Sequence, residues 1–206
     1  GLELWDHLVS RNDLSTRSSD LRKTITEAWA EADLDQFASD AVQRVATIVS
    51  DESALYAIAR FLRDQIRAQI EHDETPPIGQ MRRLAISLFA MHSAGFTHES
   101  DDPLSFAPLY LNSWPGLLAQ YWMSEIDRSW RCNREGWDGL DAEHRDVLME
   151  LLSAPRPTLD ATQPVLAGEL FFLFSADEEF ATEHVLPIFA DDRNARFAWI
   201  PYLRGP

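Results

Sequence analysis

The spacing of apolar residues constrains the fold of this chain more than any other feature of its sequence. In two early segments, apolar side chains recur every three or four residues, which is the period of an α-helix. The first stripe comprises Leu21, Ile25, Ala28 and Trp29. The second comprises Phe37, Ala41, Val45 and Ile48. Sustained alternation of apolar and polar residues, the pattern of a half-buried strand, is absent from the sequence, which therefore predicts an all-α protein.

Residues that start and stop helices divide this pattern into elements. Ser50 or Asp51 can cap a helix whose stripe is Leu55, Ile58, Leu62, Ile66 and Ile70. Pro76 and Pro77 cannot continue that helix but suit the start of the next one. Asn112 or Ser113, and later Asp141, are further candidate caps. We expect about nine or ten helices in irregular antiparallel pairs. A solenoid-like arrangement stays open, although the sequence has no repeat of about 40 residues.

One late segment, Val165 to Phe174, is apolar on nearly all sides. Because a helix of that kind has no face suited to water, the pattern predicts that it lies at the centre of the fold.

Polar segments that interrupt the apolar helical pattern suggest where the chain could divide into domains. The longest is "HSAGFTHESDDP", from His92 to Pro103. We expect residues 1–206 to form a single helical domain, with a sub-boundary near 93–103 as the alternative. The first residue is not Met and lies just before an amphipathic pattern, so we interpret the chain as a fragment of a larger protein.

Charge and cysteine usage exclude several classes of partner. The formal net charge is -16, and the acidic residues are spread over both halves. A field of this sign argues against nucleic acid and against anionic membranes as partners. No run approaches the roughly 18 apolar residues that suggest a membrane span. Cys132 is the only cysteine, which excludes an intramolecular disulfide, and a cytoplasmic location is expected.

The stretch "NSWPGLLAQYWMSEIDRSWR", from Asn112 to Arg131, contains three tryptophans and a tyrosine. At 100° per residue its aromatic and aliphatic side chains cover one arc of a helix, which predicts that they are mainly core. Glu125 falls in the middle of that arc, where a carboxylate is costly unless it has a partner. Either its head reaches an arginine or an indole N–H, or it is a functional acid in a cleft.

Other candidate chemistry is sparse. His92 and His98 lie near three acidic residues, but their spacing matches no zinc-site pattern, so neither metal nor cofactor is expected. The third helix carries an exposed arginine series, Arg60, Arg63 and Arg67. Asp64 and Glu71 follow at helical spacing, which favours a self-paired, solvated face over a docking patch or a nucleic-acid surface.

Two stretches together resemble a helical domain family of unknown function. They are "NSWPGLLAQYWMSEIDRSW" and "AGELFFLFSADEEFATEHVLPIFADDRNARFAWIPYL". The matching positions are Asn112, Pro115, Gly116, Trp122, Ile126, Trp130, Leu170, Leu173, Asp177, His184, Leu186, Pro187, Phe189, Trp199 and Leu203. The similarity covers under half of the chain and departs at "ADDRN", where the family has an acidic turn with an aromatic residue. The family is found C-terminal to sirtuin-like, NAD-consuming domains of bacterial anti-phage defence proteins, and the resemblance implies no catalytic residues here.

Two functions follow as expectations. The first is a non-catalytic interaction or regulatory domain of a larger bacterial protein, which mediates assembly, autoinhibition or trigger recognition. Its partners would be other domains of the same polypeptide, a second copy or another protein. The alternative is a small helical enzyme or ligand-binding domain that uses Glu125 with His184 or His92 in an interhelical pocket. The candidate binding residues are therefore Arg60, Arg63, Arg67, Glu125 and His184.

Overall fold

The computed structural model describes residues 2–10, 16–31, 34, 37–72, 77–97, 112–190 and 195–204. Within these ranges every regular element is helical, which confirms the predicted all-α class. The chain divides into two compact units, residues 1–92 and 93–206, and the junction lies at the start of the polar 93–103 segment.

The described residues of the first unit form five α-helices: α1 Leu2–Ser10, α2 Thr16–Ala30, α3 Ala38–Ala46, α4 Leu55–His72 and α5 Ile78–His92. Helix α2 packs on α4, and α3 packs on α5. The Asp51 carboxylate accepts the Ser53 amide at 3.0 Å and so caps the short 3-10 turn that precedes α4. This confirms one of the two cap residues that the sequence offered.

Among the described side chains, the core of the first unit is apolar apart from the Gln65 amide and the Thr26 hydroxyl. The rings of Trp5 and Trp29 stack with centroids 5.2 Å apart and join α1 to α2. The Gln65 side chain of α4 donates a hydrogen bond to the Trp29 carbonyl at 2.9 Å, so this buried amide also holds α4 against α2. The α4 stripe from Leu55 to Ile66 is buried as predicted. The structure does not describe the side chain of Ile70, the last residue of the predicted stripe.

The second unit contains α6 Trp114–Cys132, α7 Ala142–Ser153, α8 Thr158–Gly168, α9 Leu170–Ala176, α10 Glu178–Phe180 and α11 Ala195–Arg204. A π-helical turn, Ala181–Val185, and a 3-10 turn, Leu186–Ala190, continue from α10. Helix α8 packs against α6, α7 and α11. At its last residue, Gly168, an added Cβ would lie 3.4 Å from the Pro201 Cβ, so the end of α8 and α11 are in close contact.

The tryptophan-rich stretch forms α6, and its aromatic side chains are core as predicted. Trp114, Tyr121 and Trp122 are all buried. Ser113 caps the helix, because its hydroxyl accepts the Gly116 amide at 3.4 Å. The apolar face of α6 is therefore part of the buried core of this unit.

The prediction that Val165 to Phe174 is central is confirmed for Val165, Leu166 and Ala167, which are buried, but it is wrong for Phe171 and Phe174. The chain leaves the helix at Glu169, so the segment becomes the end of α8 and a short α9. Phe171 is 79% exposed and Phe174 is also exposed, while only Leu173 of α9 and the terminal Ala176 are buried. The break turns α9 so that one side packs inward and two phenylalanines face solvent.

Candidate functional site

Glu125 is fully buried on α6, and its carboxylate contacts a histidine of the next helix. His144 Nε2 lies 2.5 Å from Glu125 Oε2. The other carboxylate oxygen of Glu125 accepts a hydrogen bond from the Ser129 hydroxyl at 3.1 Å. Both oxygens are thus engaged inside the core, as a buried carboxylate requires.

The same network extends to the protein surface through the cap of α7. The Asp141 carboxylate accepts the His144 amide at 2.8 Å, and Asp141 Oδ1 lies 3.1 Å from His144 Nδ1. Asp141 is exposed, whereas His144 is buried. A single chain of polar groups therefore runs from the surface to Ser129 by way of His144 and Glu125.

This arrangement differs from both interpretations of Glu125 made from the sequence. The contacts that the structure shows are with His144 and Ser129, which neither interpretation named. The sequence does carry a signal for the burial of His144, because Val147, Leu148 and Leu151 follow it at i+3, i+4 and i+7. A histidine aligned with an apolar stripe faces the core, so it was available to a buried carboxylate on the neighbouring helix.

The two histidines proposed as partners lie elsewhere. His184 is half-buried, with its Nε2 3.8 Å from Glu183 and its ring packed against Phe180 at 5.0 Å. His92 Nε2 lies 2.8 Å from the Val49 carbonyl, within the first unit. His98 lies outside the described residues. Because Glu125 is buried and both of its oxygens are occupied, its geometry is that of a structural pair.

The arginines of α4 form ion pairs within the helix and with its neighbour. Asp64 lies 3.4 Å from Arg60 Nε and 2.6 Å from Arg63 Nε. Arg60 also contacts Glu31 at the end of α2, at 2.6 Å. Arg67 is exposed on the same helix. The positive charges of Arg60 and Arg63 are thus balanced by two carboxylates, as the self-paired interpretation requires.

A second buried carboxylate, Asp177, fixes the loop between α6 and α7. Its Oδ2 accepts the Leu140 amide at 3.1 Å and contacts Arg145 at 2.7 Å. Its Oδ1 accepts the Phe180 amide at 3.0 Å and caps α10. Gly139, with φ of 103°, allows this approach, since an added Cβ would lie 3.1 Å from Asp177 Oδ2. One side chain therefore holds a loop and a helix start together.

The surface of the second unit carries an aromatic cluster, defined here as Phe189, Trp199 and Tyr202. The three rings meet edge to face, with centroid separations of 5.0 Å, 5.5 Å and 6.0 Å. Phe189 is buried, but Trp199 is 45% exposed and Tyr202 is 37% exposed. Leu203, which is 74% exposed, follows Trp199 by four residues and so lies on the same side of α11. Trp199 and Leu203 are among the positions that carry the family resemblance, but nothing in the sequence pattern assigned them to a surface.

The described residues were also searched for membrane-spanning helices and for groups of metal ligands. Along these ranges every helix is too short or too polar to cross a lipid bilayer. Within the same part of the chain, no three His, Cys, Asp or Glu side chains are grouped so that they could hold a metal ion.

Comparison of the chain with protein-family models, with curated proteins and with solved structures found no match. The similarity to helical domains of sirtuin-containing defence proteins therefore stays a prediction, carried by the residues quoted for it.

Proposed function

We propose that this chain is a non-catalytic protein-binding domain and that the aromatic cluster, with Leu203, is its binding surface. The observation that carries the proposal is the exposure of Trp199 and Tyr202 over a buried Phe189. Tryptophan and tyrosine are enriched among the residues that dominate binding energy at protein interfaces. Their edge-to-face packing holds both rings in place before a partner arrives, which lowers the entropy cost of association.

The charge of the chain favours a basic partner. With a formal net charge of -16, two copies of this chain repel each other, whereas a basic surface is attracted. Electrostatic complementarity of this kind raises the association rate and selects the partner. We infer that the partner presents an apolar centre surrounded by lysine and arginine side chains.

The biological setting follows from the resemblance. In a bacterial defence-type protein with a sirtuin-like domain, a binding domain of this kind would serve assembly, autoinhibition or trigger recognition. Each of these roles requires a surface that binds another protein or another domain. The aromatic cluster supports such a role because removing its rings from water supplies the apolar part of the binding energy.

A model peptide tests the proposed surface. The probe is an amphipathic helical peptide with leucines on one face and lysines on the other, titrated into the full chain by calorimetry. A Trp199→Ala, Tyr202→Ala variant should bind it at least about tenfold more weakly, because interface aromatic anchors contribute about 2 kcal/mol or more each. A peptide of equal charge with serines in place of the leucines should bind weakly to both proteins.

Phe171→Ala is the matched control, since Phe171 is an exposed aromatic residue of a different helix. It should leave peptide affinity unchanged. Equal affinity of the wild-type chain and the double variant would overturn the proposal. Light scattering of the chain alone distinguishes self-association, because a defined dimer that the double variant loses would assign the surface to a second copy.

A further inference from the structure

A cleft of about 290 Å³ opens between α3 and α5 in the first unit. One side is apolar and is formed by Val42 and Ala46 of α3 with Val49 from the turn that follows. Leu84 of α5 adds to this apolar lining. The volume corresponds to roughly ten water molecules and lies near the lower limit of small-molecule sites, so any ligand is small.

The opposite side of the cleft is polar. Gln80, Arg83 and Ser87 all line it from α5. Their spacing of three and then four residues places them in one row along the helix. Gln43 of α3 is the remaining polar residue of the lining. A row of hydrogen-bonding groups facing an apolar wall is the composition typical of a site for a small polar ligand with an apolar body.

Arg83 supplies a positive charge that the protein does not neutralise. It is exposed, and within the part of the chain that the structure describes it has no ion pair. Arg44 and Arg60 of the same unit are each paired with carboxylates. The Arg83 guanidinium matches the two oxygens of a carboxylate.

Gln80 supplies a hydrogen-bonding group whose capacity is only half used. Its Nε2 donates to the Ser39 hydroxyl at 2.8 Å, but its buried Oε1 has no hydrogen-bond partner among the described residues. Exchanging the amide oxygen and nitrogen leaves the same problem, because Ser39 contacts only one of the two atoms. An unsatisfied amide beside a cleft favours a ligand that carries its own donor or acceptor.

We propose that this cleft binds a small carboxylate that has an apolar ring and a hydroxyl group. The carboxylate pairs with Arg83, the ring lies against the apolar wall of α3, and the hydroxyl hydrogen-bonds to the Gln80 amide after a small rotation of that side chain. The site lies in the first unit, so it is independent of the protein-binding surface proposed for α11.

The probe is para-hydroxybenzoate, titrated into the full chain by calorimetry. We expect saturable binding with a dissociation constant near or below about 1 mM, which a ligand of this size can reach. Arg83→Gln should weaken binding by about tenfold or more, because a charge-assisted hydrogen-bonded pair is lost. Ala46→Phe, which places a ring in the cleft, should weaken it as well.

Two related ligands and a variant far from the cleft serve as controls. Benzoate lacks the hydroxyl group and para-hydroxybenzamide lacks the charge, so both should bind more weakly than the probe. Arg131→Gln removes an arginine of the second unit and should leave binding unchanged. Circular dichroism of each variant checks that the fold is retained. An absence of saturable binding by the wild-type chain, or binding that both cleft variants leave intact, would overturn the proposal.

Discussion

The Nε2 atom of His144 lies 2.5 Å from Oε2 of Glu125, and both side chains are buried between α6 and α7. A buried polar pair is costly to break, because removal of one partner leaves the other without compensation in a medium of low dielectric constant. The pair thus makes the packing of these two helices depend on a specific interaction in addition to apolar contact.

We expect His144→Leu to lower the free energy of unfolding by about 3 kcal/mol or more. Adding Glu125→Leu to this variant should recover a large part of the loss, since apolar residues of similar size often replace a buried pair at little cost. Urea denaturation of the two single variants and the double variant measures the coupling. Ser124→Ala, on the same helix, is the control and should have a small effect. Additive losses would show that the two side chains do not interact in solution.

Gly139→Ala should lower the free energy of unfolding by about 1–3 kcal/mol, because its φ of 103° disfavours a side chain. The added Cβ would also lie 3.1 Å from Asp177 Oδ2. Gly95→Ala is the matched control, since an added Cβ there meets no atom within 4 Å. A comparison of thermal unfolding midpoints distinguishes the two. Equal midpoints would contradict the strained geometry at Gly139.

Asp177→Asn should destabilise the second unit, because the carboxylate serves Leu140, Phe180 and Arg145 at once. An amide can accept through only one of its two terminal atoms, so one of these contacts becomes a clash between two donors. We expect a loss of about 2–4 kcal/mol from the exchange of charge-assisted hydrogen bonds for an unsatisfied group. Glu179→Gln is the control, since its carboxylate lies 3.9 Å from Arg145 and is exposed. Similar urea midpoints for the two variants would argue against the role of Asp177.

The pair of Asp6 with Arg44 predicts a pH dependence. Hydrogen bonds from Arg44 at 2.9 Å and 2.8 Å lower the pKa of the Asp6 carboxyl below its ordinary value of 3.8. Because the ionised form is favoured by folding, the pair stabilises the protein above pH 3.8, and this contribution is lost as the pH falls through the lowered pKa.

Asp6→Asn should therefore lower the urea midpoint at neutral pH and leave it unchanged in acid below that pKa. The difference at neutral pH should shrink in about 1 M salt, which screens exposed charges. Asp40→Asn is the control, because Asp40 lies 3.9 Å from Arg44. A loss that persists at low pH would assign the effect of the substitution to another cause.

The sequence predicted which parts of the chain are helical more successfully than it predicted which faces are buried. The caps Asp51, Ser113 and Asp141 are local features, and each is confirmed by a hydrogen bond to a nearby amide. Burial depends on the neighbouring helix, so it was only partly predictable. In α2, Leu21 and Ala28 are exposed, while Thr26 is buried with its hydroxyl bonded to the Arg22 carbonyl.

The candidate site was predictable only in part, for the same reason. The position of Glu125 on the apolar arc was visible, but its partner lies 19 residues later on another helix. Phe37 also continued an apolar stripe in the sequence and yet is exposed at the start of α3. Periodicity specifies a face of a helix, whereas the packing partner of that face depends on contacts between residues distant in sequence.

Asp141 contacts both the backbone and the ring of His144, and these contacts oppose fraying of the first turn of α7. Amides in the first turn of a helix normally exchange their hydrogens with solvent rapidly, because such turns fray. The His144 amide is bonded to Asp141, and the ring of the same residue is held inside by Glu125. Fraying of α7 must therefore draw a buried imidazole away from its carboxylate, so we expect the hydrogen of this amide to exchange more slowly than those of an ordinary first turn.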